Sequence, residues 1–210
     1  MDVSWFRNFD IALIVYLVGT AMPGPGNLSI ANASLNHGRA PGVSMAAGVI
    51  SGSLCWGAIA AAGVSAVLMS NAQLFMWLKV LGACYLLWLA YKAVMSARSS
   101  APLQARTTAA AGSLRMFYLQ GLAIHLTNPK AILTWLTVTT LGLSANAPAW
   151  ASIVLVAGCG LLGMFIFMGY AWAFSSRAAG PFFTRARKPF GLLCAAFYAF
   201  LAVGFLRSLS

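Results

Sequence analysis

Two short stretches carry residue types that could handle a small charged solute. They are Met22-Pro23-Gly24-Pro25-Gly26-Asn27 and, about a hundred residues later, Thr127-Asn128-Pro129-Lys130. Each lies inside an apolar run that is otherwise long enough to cross a bilayer. Proline removes a backbone donor and glycine loosens the chain, so a helix that enters either stretch breaks there. A broken helix exposes N–H groups and partial positive charge where its second half starts, and C=O groups with partial negative charge where its first half ends. A zwitterion such as an amino acid offers the matching pair. Its carboxylate suits the half-helix N-termini that follow Pro25 or Pro129, and its ammonium suits the carbonyls before the breaks. Asn27 and Asn128 add side-chain donors and acceptors, and Lys130 adds a fixed cation. The candidate substrate-binding residues are therefore Pro23, Gly24, Pro25, Asn27, Asn128, Pro129 and Lys130. His125, three residues before Asn128 and on the same helical face, is the side chain near the breaks that titrates close to neutral pH, and is the candidate for proton coupling. Plainer roles stay open at this stage: a break can be a proline kink that serves packing alone, and a histidine can be a neutral ring bonded to a nearby carbonyl.

The elements that must position these residues follow from composition. Of the 210 residues 61% are apolar and 7% charged, with a mean hydropathy of +0.84, a balance that excludes an ordinary water-soluble domain. Six spans of ~20 residues fit the chain and leave only short connections, with no room for a separate soluble domain. The expected fold is an all-α integral membrane protein of about six transmembrane helices in two inverted three-helix halves, with helices 1 and 4 broken. The spans are predicted near Phe9 to Ala33, Val43 to Met69, Leu74 to Val94, Met116 to Leu141, Trp150 to Phe174 and Phe190 to Leu206. Residues 1–95 form the first half, 96–115 a basic cytoplasmic linker, and 116–210 the second half. Polar turns are expected at Asn36 to Arg39 and at Ser70 to Gln73, and a basic loop holding Arg177, Arg185, Arg187 and Lys188 before the last span. Gly48 and Gly52 allow close helix approach in the second span. Lys79, near the start of the third, reads as a snorkelling side chain.

The formal charge of +11 does not point to nucleic acid, because the basic residues fall between apolar runs rather than along one helix face. On alternate sides of six spans, one side holds Arg39, Lys92, Arg98, Arg106, Arg115, Arg177, Arg185, Arg187 and Lys188, and the other Arg7 and Arg207. The richer side is expected to be cytoplasmic, with both termini periplasmic and the N-terminus uncleaved. The four cysteines, Cys55, Cys84, Cys159 and Cys194, have no CxxC spacing and read as small buried hydrophobes. A thiol–disulfide electron conduit is the alternative they leave open, and a metal-ion exporter or channel another, although only His125 and isolated cysteines are at hand as ligands. No catalytic constellation, cofactor or metal site is read from the sequence. The expected partners are a small-molecule substrate and the lipid bilayer, with homo-oligomer formation left open.

The stretches MPGPGNL, SLNHGRAPG, LKVLGACYLLWLAYKA and LTNPKAI resemble the LysE/RhtB family of amino-acid exporters. The resemblance covers about Thr20 to Leu136 well and the last two spans loosely, where MGYAWA is the best fragment. It implies a small bacterial inner-membrane protein that expels amino acids or their derivatives, driven by the proton gradient. By motif, Pro23, Gly24, Pro25 and Asn27 match the family's first element, and Asn128, Pro129 and Lys130 its second. Two departures stand out. Many relatives carry an acidic residue in the fifth span near the place of Gly163, and a Pro-Gln-Phe type ending to the fourth, where this chain reads Val138 to Leu143. With no Glu in the chain, and only Asp2 and Asp10, a carboxylate proton relay is not expected here.

Overall fold

Met22, Gly24 and Asn128 each precede a proline, and each is driven out of the helical region into extended backbone, with ψ of 129°, −177° and 109°. These residues divide two long apolar runs into four short helices. The computed structural model describes residues 8–70, 72–98, 112–143, 147–176 and 179–207. Before and after the first break lie α1 (Phe9–Ala21) and α2 (Pro25–His37), bent 48° from one another. Next come α3 (Arg39–Ser70) and α4 (Ala72–Arg98), then α5 (Leu114–Leu126) and α6 (Pro129–Gly142) around the second break, and finally α7 (Ala149–Ala173) and α8 (Ala179–Arg207). No strand occurs among the described residues.

The surface is inside-out relative to a soluble protein. Phe165, Phe200, Ile153 and Leu193 are each at least 69% exposed, whereas Asn27, Ser53, His125, Asn128, Thr134, Thr137, Thr139 and Thr140 are buried. An apolar exterior with polar side chains kept inside, within a largely apolar core, is what a lipid solvent selects, since backbone and side-chain polar groups must find partners within the protein. The segments Arg39–Gly63 and Trp150–Ala173 are long and apolar enough to cross a bilayer alone, and α1 with α2 qualifies as one bent span. Shorter apolar segments, Val80–Met95 and Gly191–Gly204, lie within α4 and α8. The protein is an all-helical, multi-pass membrane protein.

Helix directions follow from glycine contacts. Ala12 lies against Gly142, Gly19 against Thr134 and Gly24 against Lys130, so α1 and its continuation run antiparallel to the second broken pair. Leu13 against Gly158 and Tyr16 against Gly163 make α1 parallel to α7. The pairs α3·α7 and α4·α8 also pack against each other. The guanidinium of Arg39, at the start of α3, sits 3.9 Å over the ring of Trp172, near the end of α7. Helices α3 and α5 approach backbone to backbone, because a Cβ on Gly48 would strike the Tyr118 carbonyl and one on Gly121 the Met45 carbonyl.

The helices extend past the apolar spans that hydropathy marks. The expected turn at Asn36 to Arg39 shrinks to Gly38, at φ +90°, a conformation that glycine alone takes without strain. The expected basic loop is helical from Ala179 onward, with Arg185, Arg187, Lys188 and Pro189 all inside α8. Arg and Lys are good helix formers, and a helix needs only its own hydrogen bonds to continue into polar sequence. Arg177, Asn71 and most of the expected linker, residues 99–111, lie outside the described residues.

Candidate functional site

Because the two broken helices cross antiparallel, their breaks meet. Between them lies a cavity with an open mouth. It is lined by Gly24, Asn27, His125, Asn128 and Lys130 among the residues the sequence singles out, and by Tyr16, Gly19, Thr20, Gly26, Ser53, Ala131, Thr134, Trp135 and Phe167 besides. Pro23, Pro25 and Pro129 are not on its wall. Pro25 and Pro129 each open a half-helix, where a missing N–H costs nothing, so the prolines shape the site instead of touching its contents.

The last three carbonyls before the first break each accept from a side chain, the three donors coming from α2, α7 and α6. Asn27 Nδ2 donates to Thr20 O at 2.8 Å, the Tyr170 hydroxyl to Ala21 O at 2.9 Å, and Lys130 Nζ to Met22 O at 2.7 Å. A buried carbonyl left without a donor costs about 1–3 kcal/mol, and these three residues prevent it. The sequence reading leaves those carbonyls free for a substrate ammonium; here the chain's own ammonium occupies one. The Lys130 stem lies over Gly24, where a Cβ would stand 3.2 Å from Nζ and 3.3 Å from Cδ. At the second break Trp56 Nε1 donates to Leu126 O at 3.2 Å, and the Thr127 hydroxyl to Ala123 O at 2.8 Å.

The two half-helix N-termini differ. Asn128 caps α6, its Oδ1 accepting from the Lys130 backbone N–H at 3.1 Å. The N-cap of α2 is Gly24, which has no side chain to offer, so in the first turn the N–H groups of Gly26 and Asn27, two residues of the cavity wall, have no side-chain cap. Facing that turn is His125. A Cβ on Gly26 would stand 3.5 Å from its Nδ1, which is buried and has no hydrogen-bond partner, while the ring packs edge-on to Phe167 at 5.8 Å.

A rigid hydroxyl-and-aromatic wall closes the cavity. Ser53 Oγ accepts from Trp135 Nε1 at 3.0 Å and pairs with the Tyr16 hydroxyl at 3.0 Å. The rings of Tyr16 and Trp135 are 4.9 Å apart, and Trp135 lies in a space that Gly57 leaves open. Tyr85 donates to Lys130 O at 2.9 Å and also contacts Thr134 Oγ1 at 2.9 Å, which fixes the first turn of α6. The Tyr16 hydroxyl fills the place in front of Gly163, where a Cβ would approach it to 2.6 Å. The four cysteines are free, and no group of three His, Cys, Asp or Glu side chains forms a metal-binding cluster among the described residues.

The geometry has counterparts in sequence among known proteins, since residues 17–209 match the profile of the LysE type translocators. The chain belongs to that family. The translocator is 32% identical over 160 residues to the leucine efflux protein of Klebsiella pneumoniae, an alignment covering 71% of this chain and 73% of that one. It is 31% identical over 182 residues to the leucine efflux protein of an Enterobacter species, covering 82% and 81%. To the threonine efflux protein of Escherichia coli it is 26% identical over 166 residues, covering 78% and 77%. No solved structure matches the translocator.

Some lining residues that sequence reasoning missed did leave a signal. Tyr16, Gly19 and Thr20 before the first break, and Ala131, Thr134 and Trp135 after the second, share the spacing i, i+3, i+4 on the face that carries each break. Ser53 and Phe167 come from α3 and α7 and carry no local mark.

Proposed function

We propose that this translocator exports an amino acid, or a similar small zwitterion, out of the bacterial cytoplasm through the cavity between its two helix breaks. The observation that carries the reading is the 2.7 Å bond from Lys130 Nζ to Met22 O, which joins the two breaks beside the cavity that Lys130 lines and sets a cation at a helix's carbonyl end. Relatives that bear the names leucine efflux protein and threonine efflux protein support the same class of cargo. Pro23, Gly24, Pro25, Asn27, Asn128, Pro129 and Lys130 form the binding region, the prolines by shaping it. Uptake of labelled amino acids into everted membrane vesicles tests the reading. Amino acids should enter faster than in vector-only vesicles and divalent metals should not; the reverse pattern would replace it with metal export.

The membrane arrangement belongs to the proposal. Six spans in two inverted three-helix halves, seated in the inner membrane, would place both termini in the periplasm. The antiparallel broken pairs and the packing of α3 on α7 and α4 on α8, the partners an inverted repeat relates, support it. Reporter fusions at Ser100 and Arg185 should read cytoplasmic and a fusion at Ser210 periplasmic. A cytoplasmic C-terminus would overturn both the span count and the repeat.

Coupling is assigned to His125, the titratable ring on the cavity wall in a chain whose two acidic side chains, Asp2 and Asp10, belong to its N-terminal end. His125→Gln, whose amide can still donate to a carboxylate, should keep a weaker but measurable counterflow of substrate between equal pH compartments and lose the acceleration that a pH gradient gives the parent protein. Gradient-driven transport at the parental rate in that variant would place the proton path elsewhere.

A further inference from the structure

We infer that the cavity is a carboxylate seat with no anion of its own, built from the uncapped first turn of α2, His125 Nδ1 and Lys130, and that it therefore admits amino acids without net positive charge and refuses basic amino acids and simple amines. The inference rests on the amino-acid reading above and narrows its cargo.

Three independent features converge on one negative group. The first turn of α2 carries the positive end of a helix dipole and no side-chain cap. His125, 6% exposed, holds an unpartnered Nδ1 against that turn. Lys130 brings its ammonium to the same wall, bonded to the Met22 carbonyl and facing no carboxylate among the described residues. Among the described residues nothing acidic opposes them. The chain has two carboxylate side chains, Asp2 and Asp10, and Asp10 is exposed in the first turn of α1, about 18 Å along the helix from Met22. The negative charge must come with the ligand.

Of the carbonyls at the end of α1, Thr20 O belongs to a residue on the cavity wall and is held by Asn27, while Ala21 and Met22 lie off that wall and give their carbonyls to Tyr170 and Lys130. A carbonyl oxygen has two lone pairs, so Thr20 O can accept from a ligand ammonium beside Asn27. A carboxylate at Lys130 and an ammonium at that carbonyl bring equal and opposite charges, and a neutral zwitterion leaves the cavity's charge as it was. A lysine, an arginine or an amine adds a further positive charge beside Lys130 in a medium of low dielectric, and is disfavoured about a hundredfold or more.

Counterflow in proteoliposomes of the full chain tests this with a panel of labelled probes: neutral amino acids including leucine and threonine, lysine, arginine, and 3-methylbutylamine, which is leucine without its carboxyl group. At least one neutral amino acid should give counterflow, with lysine, arginine and the amine about a hundredfold weaker as competitors. In Lys130→Gln that discrimination should fall at least tenfold. Lysine, arginine or the amine competing within threefold of the neutral probe would overturn the charge selection and leave amino-acid export standing. Counterflow with no amino acid of any charge would overturn the amino-acid reading and this inference with it. If Lys130→Gln fails to insert, the competition on the parent protein decides alone.

Discussion

Lys130→Met is expected to lower export by at least about thirtyfold, equivalent to about 2 kcal/mol, while the protein still reaches the membrane. The substitution keeps the length and apolar stem that cover Gly24 but deletes the ammonium that spans the two breaks. Met22 O then loses its donor and the cavity loses its fixed cation in one step. Lys130 does not hold α6 in place by its side chain, because Asn128 caps that helix and Tyr85 binds its first-turn carbonyl. The α6 start should therefore stay formed, and the main loss should appear in transport, with about 1–3 kcal/mol of stability given up at the unpaired Met22 carbonyl. Export at the parental rate with normal membrane levels would assign Lys130 a packing role only.

The second large effect is on assembly. Gly121→Leu should leave almost no monodisperse protein in detergent extracts, whereas Gly169→Leu should behave as the parent. A Cβ on Gly121 runs into the Met45 carbonyl, and one on the facing Gly48 into the Tyr118 carbonyl. Backbone cannot rotate aside as a side chain can, so α3 and α5 must part along their contact and uncover Met45, Ala46, Val49 and Phe117, which are buried there. Gly169, also in a helix, has nothing within 4 Å of a Cβ and serves as the control for an added leucine. Fluorescence-detected size exclusion of tagged variants gives the comparison. A sharp parental peak from Gly121→Leu would mean that the two backbones do not approach as described.

The breaks themselves were legible because proline acts on its own neighbours. The rule that a residue before proline leaves the helix needs no tertiary information, and it holds at Met22, Gly24 and Asn128 alike. What Lys130 binds was not legible, because Met22 is 108 residues away and only the antiparallel crossing brings them together. The sequence marks Lys130 as a cation awaiting a carboxylate; the fold gives it a carbonyl to hold in the meantime. His125 follows the same pattern. Its helical face was evident from its spacing to Asn128, but its lack of a hydrogen-bond partner at Nδ1 depends on where Gly26 and Val49 pack. The basic stretch before the last span reads as a loop from its charge, whereas α8 runs through it, Pro189 included.

The most direct test of export through this cavity is to load cells with dipeptides, which peptidases convert to free amino acids, and to follow amino acids in the medium by mass spectrometry. Cells expressing the parent protein should release at least one neutral amino acid well above vector-only cells, and cells expressing Lys130→Met at equal membrane levels should not. Release indistinguishable between parent and vector for every amino acid, or equal release by parent and Lys130→Met, would contradict the account.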